Sequence, residues 1–170
     1  MKALIISDIH GAFDTFNDII SKENYDLILF LGDICDYSYS PMNELLINKL
    51  NSVKKIVVGV SGNCDRNIKN KLSFNLPIVN EVIINGFKLT LTHGDLYNEN
   101  NLPENCGDIF LRGHSHTSNM YKKDNIIFLN PGSISKPRAS SVKSYMLMDE
   151  NFIYLKAIDG IVIDKMNIKR

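Results

Sequence analysis

The sequence has no apolar run approaching the roughly 20 residues that a membrane-spanning helix needs. Its opening, MKALIISDIHG, carries a carboxylate and an imidazole where a secretory leader would be uninterrupted and apolar. Both absences point to the cytoplasm. There is no charge excess either: 19 basic and 19 acidic side chains balance, so no overall field recruits a nucleic acid polymer or an anionic membrane. Cysteine is scarce and odd in number. Cys35, Cys64 and Cys106 form no CxxC pair, which argues against a disulfide framework or a cysteine-rich zinc site and leaves each as a small buried hydrophobe. No glycine fingerprint follows the first apolar run, where HGAFD stands, so a nucleotide-binding Rossmann module is discounted. With no repeat and no linker-like tract, residues 1–170 read as one domain, long enough to bury a core.

What is present is alternation. Apolar runs over 2–7, 26–31 and 55–60 predict buried strands. Between the first two, Phe13, Phe16, Ile19 and Ile20 recur at helical spacing; between the second and third, Ser40-Pro41 caps a helix whose Leu45, Leu46 and Leu50 are expected on one face. This βαβαβ beginning predicts a parallel sheet covered by helices, with ligands collected beyond the carboxyl ends of the strands. From residue 80 the period changes. Val82 and Ile84, then Phe87, Leu89 and Leu91, alternate with polar neighbours around Asn85-Gly86, a hairpin signal. Further short strands are expected over 108–111 and 126–129, then a meander over 145–148, 152–158 and 161–166 that turns at Asp159-Gly160. The fold class is α/β, with two sheets face to face and helices outside.

All four histidines follow predicted strands and stand beside Gly, Asp or Ser: DIHG at 8–11, THGD at 92–95 and GHSH at 113–116. One such histidine is ordinarily a satisfied core residue. Four of four is a pattern. Asp8 and His10 are two apart at a strand end, so extended geometry would turn both to one side, and His114 and His116 repeat the arrangement. With Asp33, Asn63 and His93 they offer two carboxylates, one amide oxygen and four imidazoles. That set suits Mn, Fe or Zn better than calcium, and seven donors suit two ions roughly 3.5–4 Å apart better than one tetrahedral zinc. Asp33 is the natural bridge, because Gly32 before it allows a tight approach.

DIH, GD, GN, THG and GHSH, in this order along one chain, resemble the five blocks of the calcineurin-like metallophosphoesterase superfamily. GNCD and NPGS are similar to the variants found in its small bacterial and archaeal branch of YfcE-type phosphodiesterases, and the likeness runs from Met1 to about Asp159. The resemblance implies a four-layer αββα sandwich of two mixed sheets flanked by helices. It assigns one ion to Asp8, His10 and His116 and the other to Asn63, His93 and His114, with Asp33 bridging. It also implies in-line attack on a phosphodiester by a metal-bridging hydroxide, with Asp33 and Asn63 in the catalytic machinery, two divalent ions (Mn²⁺ foremost, or Fe, Zn, Ni or Co) and a small-molecule or terminal diester as substrate. A homo-oligomer is compatible with it. The rival within the same fold is a non-catalytic scaffold for protein contacts, similar to the retromer subunit, whose metal site is degraded.

One place departs from the family pattern. Where most members carry a proton-donating histidine and an acidic partner, this chain has Cys64 and Asp65. Cys64 reads equally as a weak acid, a thiolate drawn toward two cations, or a small space-filler. If no acid assists, substrates with stable leaving groups are preferred. Arg66 is either a phosphate contact or a solvated arginine, and Ser133 in NPGS either a hydroxyl near the metals or part of a turn closing the floor of the site.

Overall fold

The computed structural model describes residues 1–38 and 40–169. Ala-Leu-Ile-Ile and Leu-Ile-Leu-Phe are buried at every position and form β1 (Ala3–Ile6) and β2 (Leu27–Phe30), as parallel strands covered on both faces must be. Between them α1 (Phe13–Lys22) buries Phe16 and Ile19. After β2 comes α2 (Pro41–Ser52), whose first turn is closed by Ser40 Oγ accepting from Asn43 N at 3.3 Å while Pro41 presets φ. Then come β3 (Ile56–Gly59) and two short 3-10 turns, Asp65–Asn67 and Lys69–Lys71.

The buried face of α2 differs from the expected one. Asn43, Leu46, Ile47 and Leu50 are buried, whereas Leu45 is 47% exposed. At 3.6 residues per turn, positions 43, 46, 47 and 50 share a face that 45 lies outside. Leu45 and Leu46 cannot both serve the same stripe.

The second half is strand after strand. β4 (Val79–Ile84) and β5 (Phe87–Thr92) form the expected hairpin, with Asn85 and Gly86 at φ 51° and 82°, the left-handed pair that a tight hairpin turn requires. β6 (Ile109–Leu111), β7 (Asn119–Lys123) and β8 (Ile126–Asn130) follow. β7 has no apolar run to announce it, and its turn to β8 uses Asp124-Asn125, both at positive φ, without a glycine. β9 (Ser144–Met148), β10 (Phe152–Ala157) and β11 (Val162–Asn167) make the C-terminal meander.

Two mixed sheets result, ordered β11-β10-β9-β1-β2-β3 and β4-β5-β6-β8-β7. In the larger, β1, β2 and β3 run parallel; in the smaller, β5, β6 and β8 do. Ile5 and Leu29 of one sheet and Leu89, Leu91, Leu111 and Leu129 of the other belong to the apolar layer between the sheets. The opposite face of the larger sheet, including Leu4, Ile6, Ile28 and Phe30, packs on Phe16, Ile19, Leu46 and Leu50. Both α-helices therefore lie outside the larger sheet. Beyond the smaller sheet, Tyr121 stacks on Phe128 at 5.1 Å between ring centroids, and Gly107 N, in the connection from β5 to β6, donates to Thr90 Oγ1 at 2.9 Å. Among the described residues, no helix is long and apolar enough to cross a membrane.

The reassigned face of α2 is directly testable. Leu46→Ala should cost about 2–5 kcal/mol in urea unfolding, as a cavity in a core does, while Leu45→Ala should stay within about 0.5 kcal/mol of wild type. Equal losses would restore Leu45 to the core.

Candidate metal centre

The carboxyl ends of the six parallel strands carry the polar loops. Asp8 and His10 follow β1, Asp33 follows β2 and Asn63 follows β3; His93 follows β5, and His114 and His116 follow β6. Continued strand geometry does not pair these residues. β1 ends at Ile6, and Asp8, His10, Asp33, His114 and His116 have φ of 51°, 47°, 54°, 64° and 57°. Residues other than glycine hold that left-handed region at a cost of order 1–3 kcal/mol each, Asp and His being among those that tolerate it better. Cross-loop bonds hold it here. Asp8 N donates to Gly32 O at 3.1 Å, and Ile9 N and His10 N donate to Asp33 O at 2.9 and 3.0 Å. The loops also touch where only glycine fits: a Cβ on Gly62 would lie 2.1 Å from Asp33 Oδ1, and one on Gly32 2.5 Å from Gly62 N.

The seven candidate ligands form two adjoining groups. In the first, donor atoms of Asp8, His10, Asp33 and His116 all lie within 4.8 Å of one another. His10 Nε2 is 3.2 Å from His116 Nε2 and 3.7 Å from Asp33 Oδ2, and His116 Nε2 is 3.1 Å from Asp8 Oδ1. In the second, Asn63 Oδ1 is 3.1 Å from both His93 Nε2 and His114 Nδ1, which are 3.2 Å apart. His93 Nε2 lies 3.5 Å from the same Asp33 Oδ2. One carboxylate oxygen thus stands between the groups, where a bridging ligand belongs.

The ring nitrogens facing away are anchored. His93 Nδ1 is 2.7 Å from Leu31 O and His116 Nδ1 2.6 Å from Lys136 O, so each N–H donates outward to a carbonyl and each Nε2 is turned to the centre. His10 Nδ1 lies 3.0 Å from Asp36 Oδ1. Asp8 Oδ2 accepts from Ser7 Oγ at 2.6 Å and from His114 N at 3.0 Å. Its other oxygen, Oδ1, is buried and faces the bare Nε2 of the neutral His116 tautomer at 3.1 Å, so it gains a hydrogen bond only when that ring is protonated; a cation between the two would take up both lone pairs instead. Donors sharing one ion at about 2.0–2.2 Å lie about 3.0–3.5 Å apart, close to most of the spacings found. The residues fit divalent metal.

The imidazoles divide their protons unevenly. Burial opposes a charge on His93, but the hydrogen bond and charge of Asp33 outweigh it and raise the ring to about 9. Its neighbour His114 is lowered, by burial and then by His93. His116 is raised, chiefly by its bond to Asp8, while burial lowers His10. Asp33 is itself held down to about 2: burial works against its charge, and His93 and the Cys64 donors restore it. Each imidazole pair therefore has one ring that favours a proton and one that does not.

Cys64 lies against the Asp33 carboxylate that stands between the two donor groups. Its N donates to Asp33 Oδ1 at 2.9 Å and its Sγ to Asp33 Oδ2 at 3.3 Å. Burial and then Asp33 push the thiol up to about 12, opposite to the thiolate that two cations would favour. Asp65 is placed as a strut and not as an acid's partner: fully buried, it accepts from Asp33 N, Gly62 N and Ile34 N at 2.8, 2.9 and 2.9 Å. Ser133 is likewise turned away from the cleft. Its Oγ donates to Asp8 O at 2.6 Å and accepts from Lys136 N at 2.9 Å, so it closes the turn beneath β1's loop instead of meeting substrate. Arg66 is exposed and does not line the cleft over the ligands. The cations that do are Lys136 and Arg138, beside Asp36 and Tyr37. Sequence reading passed over both, although they follow NPGS within eight residues of Asn130. Lys136 Nζ is paired with Asp36 Oδ1 at 2.6 Å.

Two facing sheets with a cluster of metal-type donors where their parallel strands end define a metallophosphoesterase class of fold and site. Residues 1–151 match the calcineurin-like phosphoesterase superfamily domain, and the chain belongs to that family. The phosphodiesterase YfcE of Escherichia coli K12 is 30% identical over 94% of this chain and 93% of its own length. The solved structure of YfcE, described as a phosphoesterase from E. coli, matches with a TM-score of 0.86 and 27% identity, covering 99% of this chain and 100% of that one. Vacuolar protein sorting-associated protein 29 of Schizosaccharomyces pombe is 25% identical over 100% of this chain and 99% of its own.

Because ligands must shed protons to bind metal, and His93 holds its proton up to about 9, Mn²⁺ uptake at pH 7 should release protons. The check is titration calorimetry in buffers of different ionisation enthalpy: the apparent enthalpy should vary linearly with that of the buffer, and affinity should fall as pH falls. A flat dependence would place the ion elsewhere.

Proposed function

We propose that this chain is a metal-dependent phosphodiesterase of the cytoplasm, acting on small-molecule or terminal phosphodiesters with two divalent ions, Mn²⁺ foremost. Asp8, His10 and His116 would hold one ion and Asn63, His93 and His114 the other, with Asp33 shared. The observation that carries the reading is the cluster of Asp8, His10, Asp33 and His116, whose donor atoms lie within 4.8 Å of one another and in which buried Asp8 Oδ1 faces the lone pair of neutral His116 Nε2 at 3.1 Å. Its likeness to YfcE supports diesters as the substrate class. When bound, the ions supply Lewis-acid polarisation of a phosphoryl oxygen and a water nucleophile at neutral pH.

The chain's own residues do the rest. His93 and His116 are fixed in the tautomer that presents Nε2 by their bonds to Leu31 O and Lys136 O. Lys136 and Arg138 set positive charge at the rim, where the oxygens of an anionic diester arrive. Balanced total charge favours a small or terminal diester over a polymer.

Proton donation to the leaving oxygen is the part the site does not supply. All four histidines are taken as ligands, and the Cys64 thiol is turned to Asp33 Oδ2. We expect substrates with stable leaving groups to be preferred. General-acid help is worth about 10²–10⁴-fold, so its absence should show as a steep dependence of rate on leaving-group pKa. Introducing Cys64→His should flatten that dependence by raising the rates of the poorest leaving groups; an already flat wild-type series would contradict the assignment.

The primary test is hydrolysis of bis-p-nitrophenyl phosphate against p-nitrophenyl phosphate by metal-stripped protein refilled with Mn²⁺. Turnover should favour the diester and disappear in Asp33→Asn. Bound metal without turnover would instead support a scaffold role.

A further inference from the structure

A second cavity adjoins the metal cleft. It holds about 80 Å³ of free space between α2 and the 3-10 turns after β3, and is lined by Asp36, Tyr37, Asn43, Ile47, Cys64, Asn67, Ile68 and Lys71. Asp36, Tyr37 and Cys64 also line the cleft over the ligands. The two spaces share a wall, and the shared wall includes the thiol that touches Asp33 Oδ2.

Their chemistries differ. The cleft is walled by imidazoles, carboxylates, an amide, a lysine and an arginine. The adjoining cavity has Ile47 and Ile68 in its wall, both buried, and the ring of Tyr37, 70% exposed, at its mouth. Neither isoleucine belongs to the inter-sheet core; both belong to the cluster outside the larger sheet. An enclosed apolar cavity of about 150 Å³ admits a benzene ring. A space of about 80 Å³ that is open at one side therefore accepts a short alkyl group or part of one ring, and has no room for a nucleoside.

A phosphodiester seated at the metal groups must send two organic arms out of the cleft. One route leads to solvent past Lys136 and Arg138. The other would run past Asp36, Tyr37 and Cys64, which line both spaces, into the adjoining cavity, whose free surface is mainly apolar although Asn43, Asn67 and Lys71 also line it. Resting on the phosphodiesterase reading above, we propose that this cavity is a specificity subsite that takes one compact apolar arm of the substrate, a short alkyl or single-ring aryl group. The substrate class narrows accordingly to diesters in which at least one alcohol is small and apolar. Diesters with a nucleoside on both sides are disfavoured.

The test compares methylphosphonate and phenylphosphonate, at a pH high enough that both are dianions, binding to Mn²⁺-loaded protein by titration calorimetry. Wild type should bind phenylphosphonate about tenfold tighter, as burial of part of an aromatic ring gives. Asn67→Trp fills the cavity from its exposed rim, and Ile68→Phe fills it from the wall. Both should erase the phenyl preference while leaving methylphosphonate affinity and Mn²⁺ affinity unchanged. Because Ile68→Phe enters a packed cluster, Asn67→Trp carries the comparison if that variant does not fold. In protein loaded with diamagnetic Zn²⁺, methyl resonances of Ile47 and Ile68 should shift with phenylphosphonate and not with methylphosphonate. No phenyl preference in wild type, or one that survives Asn67→Trp, overturns the subsite. That outcome is separable from failure of the activity reading, which would show as bound Mn²⁺ without diester turnover whatever the phosphonates do.

Discussion

The carboxylate of Asp65 is the strut on which the site depends. One oxygen accepts from Asp33 N and Gly62 N and the other from Ile34 N, so a single buried side chain ties the loop after β2 to the loop after β3. Bonds from backbone N–H to an ionised carboxylate are the strong kind. Burial lifts the Asp65 carboxyl to about 6, and the N–H donors oppose the lift. The tie has a geometric consequence. It holds Asp33 in its left-handed conformation at a contact with Gly62 that no Cβ would allow, and Cys64, adjacent to Asp65, then fixes the Asp33 carboxylate through N and Sγ. The Asp33 oxygen shared by the two donor groups is placed from behind, by residues that need not touch any ligand.

The donor groups are crowded enough to be a burden on folding. Two carboxylates and four imidazoles stand a few ångströms apart, five candidate ligands hold positive φ, and Asp8 Oδ1 is satisfied only if His116 is protonated. In each imidazole pair one ring is raised and the other lowered: His93 against His114, and His116 against His10. A proton held by the first ring of a pair offsets part of the negative charge that a cation would otherwise neutralise. Strain and crowded polar atoms of this kind persist where the surrounding structure over-determines them, and here the over-determination is visible in the Asp65 bonds, the carbonyls behind His93 and His116, and the loop-to-loop bonds of Asp8 and His10.

Much of this was legible in the chain, for physical reasons. Runs such as Ala-Leu-Ile-Ile bury every side chain and mark central parallel strands, and Asn85-Gly86 carries its own left-handed preference, so both are local signals. β7 was not legible, because Asn-Met-Tyr-Lys-Lys is held as a strand by pairing with β8 and by Tyr121 on Phe128, which are tertiary facts. The seven candidate ligands could be read because histidine is rare and all of it follows strands. The reason for their convergence could not: alternation within a strand suggested it, and left-handed loops produce it. Lys136 and Arg138 were passed over because a surface cation in a loop has no pattern, and Asp65 was assigned to chemistry because its burial is invisible in sequence.

Neither sheet contains the site alone. The first donor group takes Asp8, His10 and Asp33 from the larger sheet and His116 from the smaller; the second takes Asn63 from the larger and His93 and His114 from the smaller. Any ion held by either group would cross-link the two sheets at the rim of their shared apolar layer. Ligand binding and sandwich packing are then one equilibrium, since a ligand that binds the folded chain stabilises it in proportion to its affinity and concentration. A chain kept only for protein contacts on its outer faces would gain from relaxing these loops, because replacing a left-handed histidine or a buried aspartate crowded by other donors relieves strain without disturbing the layer between the sheets. That the donors, their carbonyl anchors and the Asp65 strut all stand together is the physical argument for reading this cluster as a candidate metal centre.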